Sequence, residues 1–531
     1  MEQNDNLQQR LLLALVLSFA VFVLFDMFMP KTAKSIDQNG TTITKQEQQT
    51  PNVMNSSSAT SAPIQPSQNL APVTTVKSLT TVKSDTFVYT IDELGRIAQV
   101  KMLETKYEYE GKKLELLNPL WVKPLEIRFA DVSLNKEALK TPYTTSTSTI
   151  DLNSGQSNRV TLTQKLSSVT VIKELTFYKD GHYDIHIKLS KPVDYFITTG
   201  QRPNADHTRY MVVQGSLIKK GNGVVEILED GDVDETLTIQ NAKFASAFDR
   251  YFTSTLYNFE KPLRVSNIII GEDRDDALLF VQGEQEFSLH GYLGPKVSST
   301  LKAINPELTD VIEYGFFTFI SKPLFKVMEW FHGLVGNWGW AIVLVTLLIK
   351  LILFPLSYKG MMSMQKLKDL APQMKELKEK YGKDPQKMNA KMMEMYKKNG
   401  ANPMGGCLPM ILQIPIFFAI YRVLLNAVEL QGAEWALWIT NLSVMDPYFV
   451  LPLLMGASMW YQQRITPNTM TDPMQQKIFQ WLPAVMTIFF ITFPAGLVLY
   501  WLVNNVFTIA QQFVINSAFE KQKAAKIAAQ K

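Results

Sequence analysis

Residues 339–356 read GWAIVLVTLLIKLILFPL, an apolar run with a single charge, Lys350. By length and composition the run is a membrane-spanning helix. Its lysine lies in the half nearer Leu356. A lysine at the centre of a spanning helix costs about 2.5–3.5 kcal/mol on insertion scales, so such a charge usually faces protein or water and not lipid. Two readings stay open at this point. Lys350 lines a polar, half-open groove inside a helix bundle, or it snorkels. Leu356 lies six residues further on, about 9 Å along a helix, and a lysine stem covers most of that distance.

Working outward, four more apolar segments follow: Cys407 to Val428 with Gln413 inside, Tyr448 to Tyr461, Ile478 to Phe493, and Leu497 to Ile515 after a Pro494-Ala-Gly turn. Two of these are short, 14 and 16 residues. They reach roughly 21–24 Å against about 30 Å of hydrocarbon, so they predict local thinning of the bilayer. Before the lysine-bearing span, Tyr314 to Leu334 is aromatic and amphipathic, with Lys322, Lys326, Glu329 and His332 as its polar minority. It reads as a helix in the membrane interface; the competing reading is an ordinary core helix of the preceding domain. Near the N-terminus, Leu11 to Met29 forms one further span. It ends in Asp26, bulky residues and Pro30, and not in the small-residue cleavage site of a secretory signal, so an uncleaved anchor is expected. The expected total is six spans.

Loop charges orient the set. Residues 357–402 carry eleven lysines against five acids, whereas 429–446 carry Glu429, Glu434 and Asp446 and no basic residue. The tail from 516 adds Lys521, Lys523, Lys526 and Lys531 against Glu520. Basic loops stay in the cytoplasm. Both termini are therefore expected in the cytoplasm, with residues 31–330 outside it. Within 357–402, Leu367, Leu370, Met374 and Leu377 recur at coiled-coil spacing, Tyr381-Gly-Lys-Asp-Pro breaks the pattern, and Met388, Met392 and Met395 stripe a return helix. A cytoplasmic helical hairpin follows. Its methionines either pack the two helices together or receive varied apolar segments.

The remainder is unlike the helical half. Residues 31–80 are rich in Ser, Thr, Gln, Asn and Pro and read as a flexible tether. From 81 to 312 the hydrophobic period becomes two. Phe87, Tyr89 and Ile91 alternate, as do Val169, Val171, Leu175 and Phe177, and Tyr183, Ile185, Ile187 and Leu189. Repeated alternation between turn signals predicts an antiparallel β-sandwich with one wet face per sheet. The fold class is thus multi-domain: an all-β sandwich plus an α-helical membrane bundle. A mean hydropathy of −0.02 and a net charge of +4 average over these unlike parts. The single cysteine, Cys407, excludes an intrachain disulfide.

Polar residues in the C-terminal spans fall at helical spacing. Thr346 and Lys350 are i, i+4; Trp501, Asn504, Asn505 and Thr508 repeat at about one turn; Gln413 lies between Pro409 and Pro415. Such groups either hydrate a groove or tie helices together. Catalytic signatures are missing: there is no GxxxxGK[ST], no HExxH, and Gly221-Asn-Gly-Val-Val-Glu lacks the third glycine of a dinucleotide loop. His182, Asp184 and His186 share the polar parity of a strand, which suits a solvated sheet face better than a metal site. Neither a cofactor nor a metal is expected, nor DNA binding. A small-solute transporter would usually show a repeat of broken helices, which is not found; a membrane-tethered periplasmic sugar-active enzyme is the other alternative.

The motifs Val335-Gly-Asn-Trp-Gly, Asn402-Pro-Met-Gly-Gly-Cys-Leu-Pro, Gln413-Ile-Pro-Ile-Phe, Asp472-Pro-Met-Gln-Gln-Lys and Phe493-Pro-Ala-Gly-Leu-Val-Leu-Tyr-Trp occur in that order. In these the chain resembles the YidC family of bacterial membrane protein insertases, whose relatives work in mitochondria and chloroplasts. The anchor and β domain resemble its Gram-negative form, with a periplasmic β-supersandwich. The resemblance implies a chaperone-like insertase of the inner membrane in which an incoming segment slides along a groove open to cytoplasm and lipid. It implies groove positions at Lys350, where most relatives carry arginine, and at Thr346, Gln413 and Trp501. It implies first contact with nascent membrane proteins through the hairpin (Leu367, Leu370, Met374, Met388, Met392). Implied partners are the Sec translocon, its SecDF accessory, the ribosome and membrane lipids.

Overall fold

The computed structural model describes residues 77–529, apart from 110, 155–157, 207–209, 211, 271–275, 383, 402–407 and 467–472. The expected anchor Leu11–Met29, nearly all of the tether and Cys407 lie outside the described residues.

The β domain runs from the strand Ser78–Lys83 to the strand Glu286–Pro295, so its first strand covers the last residues of the expected tether. A four-stranded sheet packs on a thirteen-stranded one. Side chains of both, among them Val82, Tyr89 and Ile91 from the small sheet and Val171, Leu175 and Ile185 from the large one, form one core. The expected alternation holds strictly in Thr170–Phe177 and His182–Leu189, where every second residue is buried. Pairing is antiparallel, with one exception: Ser78–Lys83 lies parallel to Thr149–Asp151. Gly291 sits directly opposite Tyr183, and a Cβ there would collide with the tyrosine ring.

One core position breaks the apolar parity. Lys173 lies between Val171 and Leu175 and is fully buried. Its ammonium donates to the carbonyls of Gly95 and Leu125, both at 2.8 Å, and sits 5.3 Å from the Tyr143 ring centre. Burial pulls its pKa down to about 7. Nearby, Asp92, Arg96, Glu126 and Arg128 form a chain of buried ion pairs at 2.7–2.9 Å. The polar face of His182–Leu189 is a solvated row, as expected: His186 bonds Ser288 at 2.9 Å and His290 bonds Asp184 at 2.6 Å. Among the described residues no cluster of metal-ligating side chains occurs.

After a short helix, Ser298–Ile304, the described residues form seven longer helices: α1 (Thr318–Val335), α2 (Trp338–Tyr381), α3 (Pro385–Lys398), α4 (Leu408–Asn426), α5 (Val450–Ile465), α6 (Pro473–Phe490) and α7 (Ala495–Ala529). Their bounds correct several expectations. The lysine-bearing span does not stop at Leu356; α2 continues as one helix of 44 residues through Pro355 and Pro372 into the hairpin. The Pro494-Ala-Gly turn is shorter than expected, because α7 starts at Ala495; it then absorbs most of the tail. Helices α5 and α6 have 16 and 18 residues, about 24 and 27 Å. By length and composition α2 and α7 are the two described helices able to cross a membrane.

Helix α1 buries Ser321, Phe325 and Met328 and exposes Phe319, Trp330 and Leu334, with Phe316 just before it 88% exposed. Its buried face meets α2 and α4, not the β core. Two long-range contacts were invisible in the sequence. Val428, expected to end a span, lies past the end of α4 and inserts into the β core. In return Leu217, Phe244, Phe248, Tyr257 and Tyr292 of the β domain join the cluster formed by the helices. The strand Phe252–Tyr257 is therefore buried on both faces, against the expectation of one wet face. The β domain and the helices share packing across this joint.

Candidate functional site

Lys350 is two turns before the apolar part of α2 gives way to lysines, and it turns inward, 8% exposed. Its ammonium donates to Thr508 Oγ1 of α7 at 2.9 Å, and that hydroxyl donates to the Asn504 carbonyl at 2.7 Å. From α4, Gln413 Nε2 donates to Asn504 Oδ1 at 2.8 Å. Lys350, Gln413 and Asn504, with Tyr500, Ser357 and Leu353, line a crevice between α2, α4 and α7. Polar and aliphatic side chains alternate in its lining. Among the described residues no carboxylate pairs with Lys350. The ammonium has three donors, and the structure gives one of them to Thr508. Such a site attracts an acceptor or an anion and holds water.

The seven expected groove residues do not all converge. Thr346 is buried beside the crevice, and its hydroxyl returns to the Ile342 carbonyl of its own helix at 2.7 Å. Helical threonines often bond backward in this way. Trp501 stands in an aromatic group, 4.8 Å from Phe417 and 5.0 Å from Phe490 between ring centres. Asn505, adjacent to Asn504 but about 100° round the helix, points to Ser458 of α5 at 3.2 Å. Lys350, Gln413, Asn504 and Thr508 form one hydrogen-bonded polar cluster. Tyr500 is the residue that sequence reasoning missed; its i, i+4, i+8 relation to Asn504 and Thr508 was the available signal.

The polar seam between α2 and α7 continues beyond the crevice. Gln365 bonds Asn516, which also accepts from Gln512 at 2.6 Å, and Lys523 pairs with Asp369 at 2.8 Å. Beside this, α2 and α3 close the expected hairpin. Asp384 caps α3 by accepting from Lys387 N at 3.1 Å, and Pro385 sits in its first turn. Leu367 and Leu370 are each 6% exposed and pack with Tyr396, Met374, Met392 and Met395, so the closed hairpin hides the two leucines. Met388 is half-buried outside that cluster.

A β domain joined to apolar helices, two of them long enough to cross a membrane, with polar side chains lining a crevice between them, is the architecture of a membrane protein. The family profile described as 60Kd inner membrane protein matches residues 330–523, and that of the YidC periplasmic domain matches 79–327. The chain is 48% identical to the membrane protein insertase YidC of Campylobacter jejuni, over 99% of both chains. It is 46% identical to that of Wolinella succinogenes, over 98% of this chain and 97% of the other. It is 47% identical to that of Helicobacter pylori strain 26695, over 98% of both. The chain belongs to the YidC family of membrane protein insertases, proteins of the inner membrane.

Proposed function

We propose that this insertase passes polar segments of nascent membrane proteins through the crevice between α2, α4 and α7. The observation that carries the proposal is Lys350: a buried ammonium bonded to one hydroxyl, beside Gln413 and Asn504, in a crevice between apolar helices. In this reading Lys350 draws acidic groups of the substrate's translocated end and keeps water in the crevice. The short α5 and α6 thin the bilayer beside it, lowering the same hydrocarbon barrier. Release into lipid is driven by burial of the substrate's apolar surface, with no covalent step and no nucleotide. Thr346 and Trp501 shape the crevice wall, and Asn505 joins α7 to α5.

The proposal includes the topology read from loop charge: six spans counting Leu11–Met29, both termini cytoplasmic, and the β domain periplasmic. The hairpin α2–α3 meets substrates first. Met388 lies outside the closed cluster, while Leu367, Leu370, Met374 and Met392, packed within it, need the hairpin to open. The Sec translocon, SecDF and the ribosome are proposed partners on the family resemblance. The test places a photo-crosslinking amino acid at position 413 and, separately, at position 505 during synthesis of a small membrane protein. Nascent chain captured from 413 and not from 505 supports the crevice. Equal capture, or none from 413, rejects it.

A further inference from the structure

Among the described residues, the contacts that tie α4 down gather at its C-terminal end. Within eight residues at that end, five contacts hold it. Arg250, in the turn before the strand Phe252–Tyr257, donates from Nε to the Leu425 carbonyl at 2.7 Å. Asn426 Nδ2 donates to the Glu313 carbonyl at 2.7 Å, and Arg422 pairs with the Glu313 carboxylate at 3.2 Å. Val428 is buried in the β core. Glu429 accepts from the Ser298 backbone N–H at 2.8 Å. Toward the other end, the described polar tie is Gln413 to Asn504. Gln413 and Leu425 are twelve positions apart, about 18 Å of helix. A small tilt at the tied end becomes a displacement of Gln413 comparable to a hydrogen bond's tolerance.

Arg250 is built for that anchoring task. It is 1% exposed and lies over two rings, 4.8 Å from Tyr210 and 4.4 Å from Tyr251. Asp249 shapes its turn by accepting from Tyr251 N at 2.8 Å, Phe252 N at 2.7 Å and Ala205 N at 3.1 Å. The guanidinium therefore has a fixed position in the β domain and addresses the last turn of α4. There the unpaired carbonyls and the helix dipole favour a cation. We propose that Arg250 is a positioning residue for insertion: it sets where α4 presents Gln413 to the crevice, about 18 Å away. The inference rests on the crevice being the substrate path and adds that the β domain fixes one wall of it.

The test uses the full chain with Cys407→Ser. One cysteine pair, Gln413→Cys with Asn504→Cys, reports α4 against α7; a second, Ser458→Cys with Asn505→Cys, reports α5 against α7. A short bifunctional thiol reagent links each pair in membranes, with and without Arg250→Leu or Arg250→Lys. Insertion is measured on the same Arg250 variants without added cysteines. The expected result is a loss of linking at 413/504 with 458/505 unchanged, and a fall in insertion of about tenfold, the low end of what one charge-assisted hydrogen bond is worth. Arg250→Lys, which keeps the charge, recovers part of both. Unchanged 413/504 linking overturns the proposal, and so does an equal loss at both pairs, which signals general unfolding. Lost 413/504 linking with normal insertion upholds the anchor and overturns the crevice reading beneath it.

Discussion

Two of the lysines buried among the described residues, Lys173 and Lys350, leave water for opposite ends. Lys173 in the β domain is fully enclosed, with two carbonyls at 2.8 Å and an aromatic ring beside it. Lys350 between the helices has one hydroxyl partner and an open crevice beside it. A buried charge is tolerated when its hydrogen-bonding capacity is met. Lys173 meets that condition from its own fold and has little left to offer a ligand. Lys350 meets it partly and keeps capacity for water or a substrate. The same residue type is thus a structural tie in one region and a functional group in the other, and what differs is how many partners the fold supplies.

The largest effect expected from breaking this comparison is on stability. Lys173→Met keeps the volume and orphans two buried carbonyls, at ~1–3 kcal/mol each. Denaturant unfolding of the β domain should fall by about that sum, while insertion per folded molecule stays near normal. Lys350→Leu should do the reverse. Its unfolding stays close to wild type, and insertion of dependent substrates in a depletion strain slows about tenfold, ~1.4 kcal/mol. Wild-type rates at normal expression would remove the charge from the mechanism. Lys350→Arg should retain most activity, because the charge remains although the donor geometry changes.

Smaller effects sharpen the picture. Gln413→Ala and Thr508→Ala should each slow insertion about two- to fivefold. Their double variant should cost less than the product, because both contribute to one polar cluster. Asn505→Ala, facing Ser458, should leave the rate unchanged. The smallest effect is a pH dependence of the joint between the domains. Burial, the largest cause, pushes the Glu429 carboxyl up to about 7; Glu329 adds to it, while Lys106 and the Ser298 N–H oppose it. A raised carboxyl favours the folded joint while it stays protonated. That contribution is complete below the ordinary value of 4.5 and is lost as pH rises through about 7. Limited proteolysis at the joint should therefore quicken between about pH 4.5 and pH 7 and level off above that, and Glu429→Gln should flatten the response.

The joint also revises what a deletion can show. Removing residues 90–300 would strip Arg250 and the Ser298 contact and uncover Val428. A reduced rate is expected where a detached β domain would have predicted none. A complete loss would favour a chemistry housed in the sandwich.

Local pattern made most of the fold legible. Period-two runs became strands with the expected faces buried, and the apolar runs after 339 became helices. Leucine and methionine spacing, broken at Tyr381-Gly-Lys-Asp-Pro, marked a hairpin that the structure closes. Legibility failed where a residue's partner is distant in sequence. Nothing near Val428 marks it for the β core, and Arg250 meets Leu425 across 175 positions. It also failed where neighbours share a letter. Asn504 and Asn505 read alike, and only helix rotation sends one to Gln413 and the other to Ser458. Thr346 shows a third limit: its spacing to Lys350 is right, but its hydroxyl is spent on its own backbone.

The central claim is that the cluster around Lys350 is wet and reachable from the cytoplasm. Single cysteines at positions 413, 504 and 508 in a Cys407→Ser background, exposed to a membrane-impermeant maleimide from the cytoplasmic side, test it most directly. Labelling there at rates near those of a hairpin cysteine, with a cysteine at the outward-facing Ile352 unlabelled, is the predicted result. Protection of all three positions as complete as at Ile352 would contradict the account.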